Sequence, residues 1–85
     1  MLTEIRKQID AIDKEIADLF SKRMDLVKQV IAYKKENNLP ILDQNRENQM
    51  ILNNKANVKE EYQDYYIKLL ITLMSVSKEL QNELK

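Results

Sequence analysis

The first 38 residues carry an apolar pattern that predicts one long helix. The segment contains neither proline nor glycine, and its apolar side chains recur in alternating steps of three and four residues, as in a seam between packed helices. Asn37 and Asn38 are expected to end the helix, because asparagine tolerates the left-handed conformation and Pro40 follows closely. The seam is formed by Leu2, Ile5, Ile9, Ile12, Ile16, Leu19, Arg23, Leu26, Val30 and Tyr33.

A second helix is predicted after a short extended connector, LPILD. The residue before Pro40 is pushed away from helical angles, so the connector is not expected to continue the first helix. Asp43 is a natural N-cap for a helix over residues 44–55. Met50 and Ile51 are its expected inward anchors.

A third helix is predicted from about Lys59 to the C-terminus, after a break at NNKANV. Its apolar side chains recur along one side of the helix. No strand pattern and no internal repeat is found, so the predicted fold class is all-α with three helices. The expected apolar side is formed by Tyr62, Tyr66, Leu69, Leu70, Leu73, Val76, Leu80 and Leu84.

The length of the first helix predicts a dimer. A helix of 38 residues is about 57 Å long, whereas a compact domain of 85 residues spans only about 30 Å. The long helix must project beyond its own globule while still carrying isoleucines in register. Since a second copy of the chain is the simplest cover for them, we predict an intertwined homodimer with the long helices packed together.

The composition excludes several classes of chemistry. The chain has no cysteine and no histidine, so disulfides, zinc sites, thiolate nucleophiles and histidine-based triads are not expected. It has no glycine either, which excludes glycine-rich phosphate loops and dinucleotide fingerprints. An enzyme of this composition is expected to work by positioning and electrostatics, with no metal and no cofactor.

The charge balance excludes a nucleic-acid partner that binds through bulk charge. Fourteen basic residues balance fourteen acidic ones, so any anion must be recognised by a local cluster. The N-terminus lacks the apolar run of a signal peptide, and no segment is apolar enough to span a membrane. The expected protein is cytoplasmic, with one domain over residues 1–85.

Arg23 interrupts the apolar seam and has two interpretations. Its stem could pack in the seam while the guanidinium reaches water, or the guanidinium could be buried and need a fixed anion. Lys34 favours the second interpretation, because eleven residues place it about 16 Å along the helix on nearly the same face. Arg6 lies about 25 Å from Arg23 in the other direction, so it could join the same small ligand only from a second subunit.

Other polar residues are candidates for the same site only when they are considered together, because each alone has an ordinary structural interpretation. In PILDQNRE, Asp43 fits a helix cap, Arg46 fits an ordinary first-turn residue, and Glu47 can point inward or to solvent. Ser77 and Gln81 are four residues apart and therefore share a face of the third helix. That face is expected to lie at the edge of the apolar stripe.

The motifs together resemble the all-helical chorismate mutases. The resemblance rests on IRKQIDAIDKEIADLFSKR, YKK, PILDQNRE and SKELQ, and it runs over nearly the whole chain. It implies a domain-swapped dimer of three-helix chains that form a helical bundle with two active sites. It also implies conversion of chorismate to prephenate, a Claisen rearrangement on the path to phenylalanine and tyrosine.

The resemblance further implies how the substrate, a small dicarboxylate, is held. Arg23 and Arg6 of the other subunit would each bind a carboxylate. Lys34 would reach the ether oxygen and a carboxylate, and Gln81 would donate to the same ether oxygen from the opposite side.

The remaining assignments follow from the same resemblance. Glu47 would accept a hydrogen bond from the ring hydroxyl, and the backbone at Asp43 would help to hold that group. Ser77 would contact a carboxylate, with Arg46 as support.

Two other functions fit parts of the sequence. Isochorismate pyruvate lyases resemble the mutases in fold and share the cationic residues, but they do not retain the Asp and Glu partners of the ring hydroxyl that are present here in DQNRE. A non-catalytic helical dimer, acting as a regulatory or partner-binding module, would leave Arg23 merely reaching solvent. Replacing Arg23 separates this module from an enzyme.

Overall fold

The computed structural model describes residues 1–41 and 43–84. Three α-helices run in the order α1 (Leu2–Glu36), α2 (Gln44–Asn54) and α3 (Gln63–Leu84). No strand occurs in these described residues, so the predicted all-α class with three helices is confirmed. Leu42 of the predicted connector and Lys85 at the predicted end of the third helix lie outside the described residues.

The first helix ends in a Schellman motif centred on Asn38. Asn38 has a φ of 54°, the left-handed conformation expected for an asparagine at a helix end. The amide of Leu39 donates to the Lys34 carbonyl at 2.8 Å, and the amide of Asn38 donates to the Lys35 carbonyl at 3.4 Å. The helix therefore ends at Glu36, two residues before the predicted limit, and the chain reverses at the asparagine pair.

The second helix begins at its predicted cap. The Asp43 carboxylate accepts a hydrogen bond from the Arg46 amide at 3.0 Å, which satisfies one of the free N–H groups of the first turn. Met50 and Ile51 are half-buried. The predicted anchors of α2 therefore contact the rest of the chain without being enclosed by it.

The third helix begins later than predicted. Two short 3-10 turns, Lys55–Asn57 and Glu60–Tyr62, join α2 to α3, so regular α-helix starts at Gln63 instead of Lys59. The amide of Tyr62 donates to the Lys59 carbonyl at 2.8 Å. A 3-10 turn thus takes the place of the predicted first turn of the α-helix.

The core of the described chain is small and lies between α1 and α3. Its buried apolar residues are Val27 and Ile31 on α1, with Leu70 and Met74 on α3. Val27 and Ile31 each follow a seam residue by one position, about 100° further around the helix. The predicted seam is therefore not the face that α1 packs within its own chain, and the seam residues other than Arg23 stay exposed.

The expected apolar side of α3 is also partly wrong. Tyr62, Leu69 and Leu84 are exposed, whereas Ser77 and Gln81 are buried. The two polar residues had been expected at the edge of the stripe. They lie inside because the centre of the contact with α1 is rotated toward Met74 and away from Leu69.

The molecule is elongated along α1. It measures 54 × 24 × 15 Å with a radius of gyration of 15.7 Å, against about 12 Å for a compact domain of this length. Its accessible surface is 7044 Å², whereas a compact chain of this mass exposes about 5,300 Å². Much of the excess is apolar, since isoleucines such as Ile12 and Ile16 are more than half exposed.

None of the helices within residues 1–41 and 43–84 has a stretch that is long and apolar enough to cross a membrane.

Candidate active site

A cavity of about 150 Å³ lies where α1, the connector, α2 and α3 meet. Apolar side chains from α1, the connector and the two shorter helices form part of its wall, among them Val27, Ile41 and Met74. Its polar wall includes seven of the candidate residues from the sequence. These are Arg23, Lys34, Asp43, Arg46, Glu47, Ser77 and Gln81.

Arg23 is directed from α1 toward α3. Its guanidinium donates a hydrogen bond to Ser77 Oγ, and the Ser77 hydroxyl donates in turn to the Leu73 carbonyl at 2.8 Å. Burial lowers the pKa of Arg23, and the positive charge of Arg46 lowers it further. Because arginine does not lose its proton in the ordinary pH range, the pocket still contains a half-buried cation.

Lys34 lies at the junction of α1, the connector and α3. Its ammonium donates to the Ile41 carbonyl at 2.8 Å and to Gln81 Oε1 at 3.4 Å. Gln81 is only 7% exposed, and the contact with Lys34 turns its amide oxygen toward the ammonium. The amide nitrogen of Gln81 is the donor that remains to meet a ligand.

Glu47 and Lys78 form an ion pair across the cavity wall. Lys78 Nζ lies 3.0 Å from Glu47 Oε1, and the two side chains are 38% and 18% exposed, respectively. Glu47 is carried on the first turn of α2, which Asp43 caps. The inward orientation, which the sequence left open for Glu47, is the one that the structure has.

Lys78 was missed by the sequence reasoning, although it also lines the cavity. It precedes Gln81 by three residues, and residues three apart share a face of a helix. That spacing was available in the sequence. The pairing with Glu47 was not, because it depends on where α2 crosses α3.

The charge of the pocket suits an anionic ligand. Among the described lining residues, four cations (Arg23, Lys34, Arg46 and Lys78) face two carboxylates (Asp43 and Glu47). The lining therefore carries two net positive charges in a partly desolvated site, where charge-assisted hydrogen bonds are strong. Within the residues described, no group of three or more acidic side chains converges as a metal site would require.

Arg6 lies outside this pocket in the single chain. It is an exposed residue near the start of α1, and the seventeen residues that separate it from Arg23 correspond to about 25 Å of straight helix. The chain therefore assembles seven of the eight candidate polar residues by itself. Arg6 is the one that would have to come from elsewhere.

Comparisons with known proteins agree on one family. Residues 5–82 match the family described as chorismate mutase type II. A chorismate mutase of Methanocaldococcus jannaschii is 36% identical over 84 residues, which cover 96% of this chain and 85% of that protein. No solved structure matches the chain significantly.

Two longer relatives match over a small part of their own length. The bifunctional chorismate mutase/prephenate dehydratase of Buchnera aphidicola is 38% identical over 71 residues, 78% of this chain and 18% of that protein. The T-protein of Haemophilus influenzae is 42% identical over 50 residues, 59% of this chain and 13% of that protein. Since the family match extends over nearly the whole sequence, this chain belongs to the chorismate mutase type II family.

Proposed function

We propose that this chain is a chorismate mutase, an isomerase that converts chorismate to prephenate in the synthesis of phenylalanine and tyrosine. The observation that carries the proposal is the convergence of Arg23, Lys34 and Gln81 on one cationic pocket. Family membership supports the same reaction. The match over residues 5–82 also supports one catalytic domain spanning residues 1–85.

The reaction needs few kinds of catalytic group. One carbon–oxygen bond of the substrate breaks while one carbon–carbon bond forms in the same molecule, and no proton is transferred. A catalyst must hold the dicarboxylate in a compact conformation and stabilise the negative charge that develops on the ether oxygen. These two effects can lower the activation barrier by roughly 8 kcal/mol, which corresponds to the modest end of enzymatic rate enhancement.

The ether oxygen is assigned to Lys34 and Gln81. The ammonium has three N–H donors, and the Ile41 carbonyl and Gln81 Oε1 accept from two of them, so one donor remains for the ether oxygen. Because the Gln81 oxygen is turned toward Lys34, the amide nitrogen is free to donate to the same ether oxygen. Two donors held before the reaction stabilise charge without reorganising when it forms.

The two substrate carboxylates are assigned to arginines. Arg23 presents a planar fork that suits a carboxylate, and its burial strengthens any ion pair made there. Ser77 would contact a carboxylate beside Arg23 by turning its hydroxyl away from the Leu73 carbonyl. Lys34 would share a carboxylate, and Arg46 would support the site from α2 by adding a positive charge to the same wall.

The ring hydroxyl of the substrate is assigned to Glu47, with help from the backbone at Asp43. Glu47 Oε1 is engaged by Lys78, so Oε2 is the oxygen assigned to accept a hydrogen bond from the ring hydroxyl. Asp43 lines the cavity while its own carboxylate caps α2. Because the carboxylate is directed at the first turn of α2, the contact with the ligand is assigned to the main chain at Asp43.

The active protein is proposed to be a domain-swapped homodimer that forms a helical bundle. The exposed surface exceeds that of a compact chain by roughly 1,700 Å², which is enough for an obligate interface when doubled over two chains. The exposed isoleucines of α1 provide the apolar part of that surface. Pairing of the long helices would bring Arg6 of one chain to the other chain's pocket, where it would bind one of the two substrate carboxylates.

An isochorismate pyruvate lyase is the second candidate, because it would use the same cations. The inward orientation of Glu47 and its place in the cavity wall favour the mutase, since a partner for the ring hydroxyl is what the lyases lack. The two reactions are distinguished by their products.

The test is to incubate purified protein separately with chorismate and with isochorismate and to identify the products. We expect prephenate from chorismate, and little turnover from the Arg23→Ala variant under the same conditions. Pyruvate from isochorismate without prephenate from chorismate would support the lyase. Absence of both reactions in folded protein would support a non-catalytic helical module.

A further inference from the structure

Lys78 is a charged residue of the pocket wall to which the proposed reaction assigns no substrate contact. It lies on α3 between Ser77 and Gln81, and its ammonium reaches across to Glu47 Oε1 at 3.0 Å. The side chain is about one-third exposed, whereas its partner is 18% exposed. The ammonium of Lys78 is thus paired with the Glu47 carboxylate, which itself lines the pocket.

We propose that Lys78 is a positioning residue for the substrate, acting through Glu47. By binding Oε1 it fixes the carboxylate so that Oε2 faces the cavity and accepts a hydrogen bond from the ring hydroxyl. The inference rests on the proposed function, since it concerns the same site and the same substrate. It adds a residue that determines how strongly the hydroxyl-bearing face of the ring is held.

Glu47 needs a positioning partner because of the helix that carries it. Throughout its described span, α2 has no fully buried side chain, so little apolar packing fixes its position. An ion pair to α3 holds the first turn of α2 beside the cavity. A glutamate without it would keep several rotamers, and the substrate would have to select one of them.

The charge of the pocket supports the same role. With Lys78 present, the described lining residues carry two net positive charges opposite a dianionic substrate. Without it, the Glu47 carboxylate would face that dianion uncompensated, and one of the two charges would be lost. Lys78 therefore allows a carboxylate to serve a hydroxyl group in a site that must attract two other carboxylates.

Replacement by methionine tests the proposal, because methionine keeps the length of the side chain and removes its charge. We expect Lys78→Met to raise KM for chorismate about tenfold and to change kcat less than threefold. The ring hydroxyl takes no part in the bonds that break and form, so a contact to it is made in both the ground and transition states, and weakening that contact raises KM more than it lowers kcat. Lys78→Arg should restore KM to within about threefold of wild type, since it retains the charge.

The matched control is Lys22→Met. Lys22 pairs with Asp18 at the same 3.0 Å, but both side chains are about two-thirds exposed and neither lines the cavity. This variant should keep the wild-type KM. Equal KM values for Lys78→Met and Lys22→Met would overturn the proposal, and Lys78→Gln serves as the test variant if Lys78→Met does not fold.

A double-mutant cycle with Glu47→Gln separates action through Glu47 from direct action on the substrate. If Lys78 acts through the carboxylate, Lys78→Met should change KM less than twofold in the Glu47→Gln background. A tenfold effect that persists in this background would show direct contact with the substrate and overturn the positioning role. Wild-type protein that gives no prephenate would instead overturn the proposed function, so the two failures are distinguishable.

Discussion

Lys34 Nζ lies 3.4 Å from Gln81 Oε1, so the amide oxygen of Gln81 faces the ammonium. The oxygen accepts from the ammonium, so the nitrogen is left to donate. A donor at this point needs no bound proton from solution, because a neutral amide keeps its N–H groups at any ordinary pH. The contact with Lys34 thus orients Gln81 for the hydrogen bond to the ether oxygen that the proposed reaction requires.

Replacing Gln81 with glutamate should make activity depend on acid. A carboxylate cannot donate to the ether oxygen, so only the protonated form of Gln81→Glu would work. We expect kcat of this variant to rise as the pH falls below about 6, whereas wild-type kcat should not need acidic conditions. The measurement is a pair of pH–rate profiles with circular dichroism at each pH.

A steep rise of the wild-type rate below pH 6, with the protein still folded, would contradict the role of Gln81. The Gln81→Glu variant provides the matched comparison, since above its pKa it has lost the donor and carries a negative charge, whereas below its pKa it is neutral and can donate.

Adjacent lysines offer a second comparison. Lys34→Gln should lower kcat by about 10²- to 10³-fold, the usual cost of removing one donor to a developing oxyanion. Lys35→Gln should have little effect on kcat, because Lys35 is exposed and donates to the Leu84 carbonyl outside the cavity. Steady-state rates of prephenate formation measure both, and similar losses in the two variants would count against Lys34 at the ether oxygen.

Arg23 should matter for activity and not for folding. Because burial lowers its pKa, the folded chain disfavours the charged guanidinium relative to the unfolded chain. That unfavourable contribution holds at neutral pH and disappears only above the pKa of the unfolded chain. We therefore expect Arg23→Leu to melt at or above the wild-type temperature while kcat/KM falls at least a hundredfold.

Melting curves and steady-state kinetics on the same preparations check this prediction. Ser77 remains satisfied in the variant through its bond to the Leu73 carbonyl, so no polar group is stranded. A large drop in melting temperature would indicate a structural role for Arg23, and unchanged turnover would support the alternative in which its guanidinium only reaches solvent.

The sharing of Arg6 can be tested with inactive chains. Arg6→Ala and Arg23→Ala homodimers should each lack activity, but a mixed dimer has one site with both arginines intact and one site with both lesions. Equal amounts of the two chains, fully exchanged, should recover about a quarter of wild-type activity, since half of the dimers are mixed and each has one good site. Assays before and after subunit exchange measure the recovery.

No recovery after verified exchange would refute the contribution of Arg6 across subunits. Sedimentation of a stable, folded monomer at micromolar concentration would refute the dimer itself.

Features set by local interactions were predictable from the sequence. The steps of three and four residues predict α1, the asparagine pair predicts its end, and Asp43 predicts the start of α2. Each depends on residues within a few positions of one another, where backbone preferences and capping decide the outcome. The two shorter helices were located in the same way, to within a few residues.

Features set by contact between helices were not predictable. The seam of α1 is wide enough to serve more than one neighbour, so periodicity alone could not show that Val27 and Ile31 form the core within one chain. Burial of Ser77 and Gln81 likewise depends on the rotation of α3 against α1. Lys78 was missed because its partner, Glu47, lies on another helix.

Asn38 gives the last turn of α1 a second consequence. Its positive φ closes the reversal in which the Lys34 carbonyl accepts from Leu39, and the reversed chain then carries Ile41 back to accept from the Lys34 ammonium. The connector therefore binds Lys34 twice. The Leu39 amide binds its backbone carbonyl, and the Ile41 carbonyl binds its side-chain ammonium. Because both bonds involve the same short segment, the direction in which the chain leaves α1 and the position of the Lys34 ammonium are coupled.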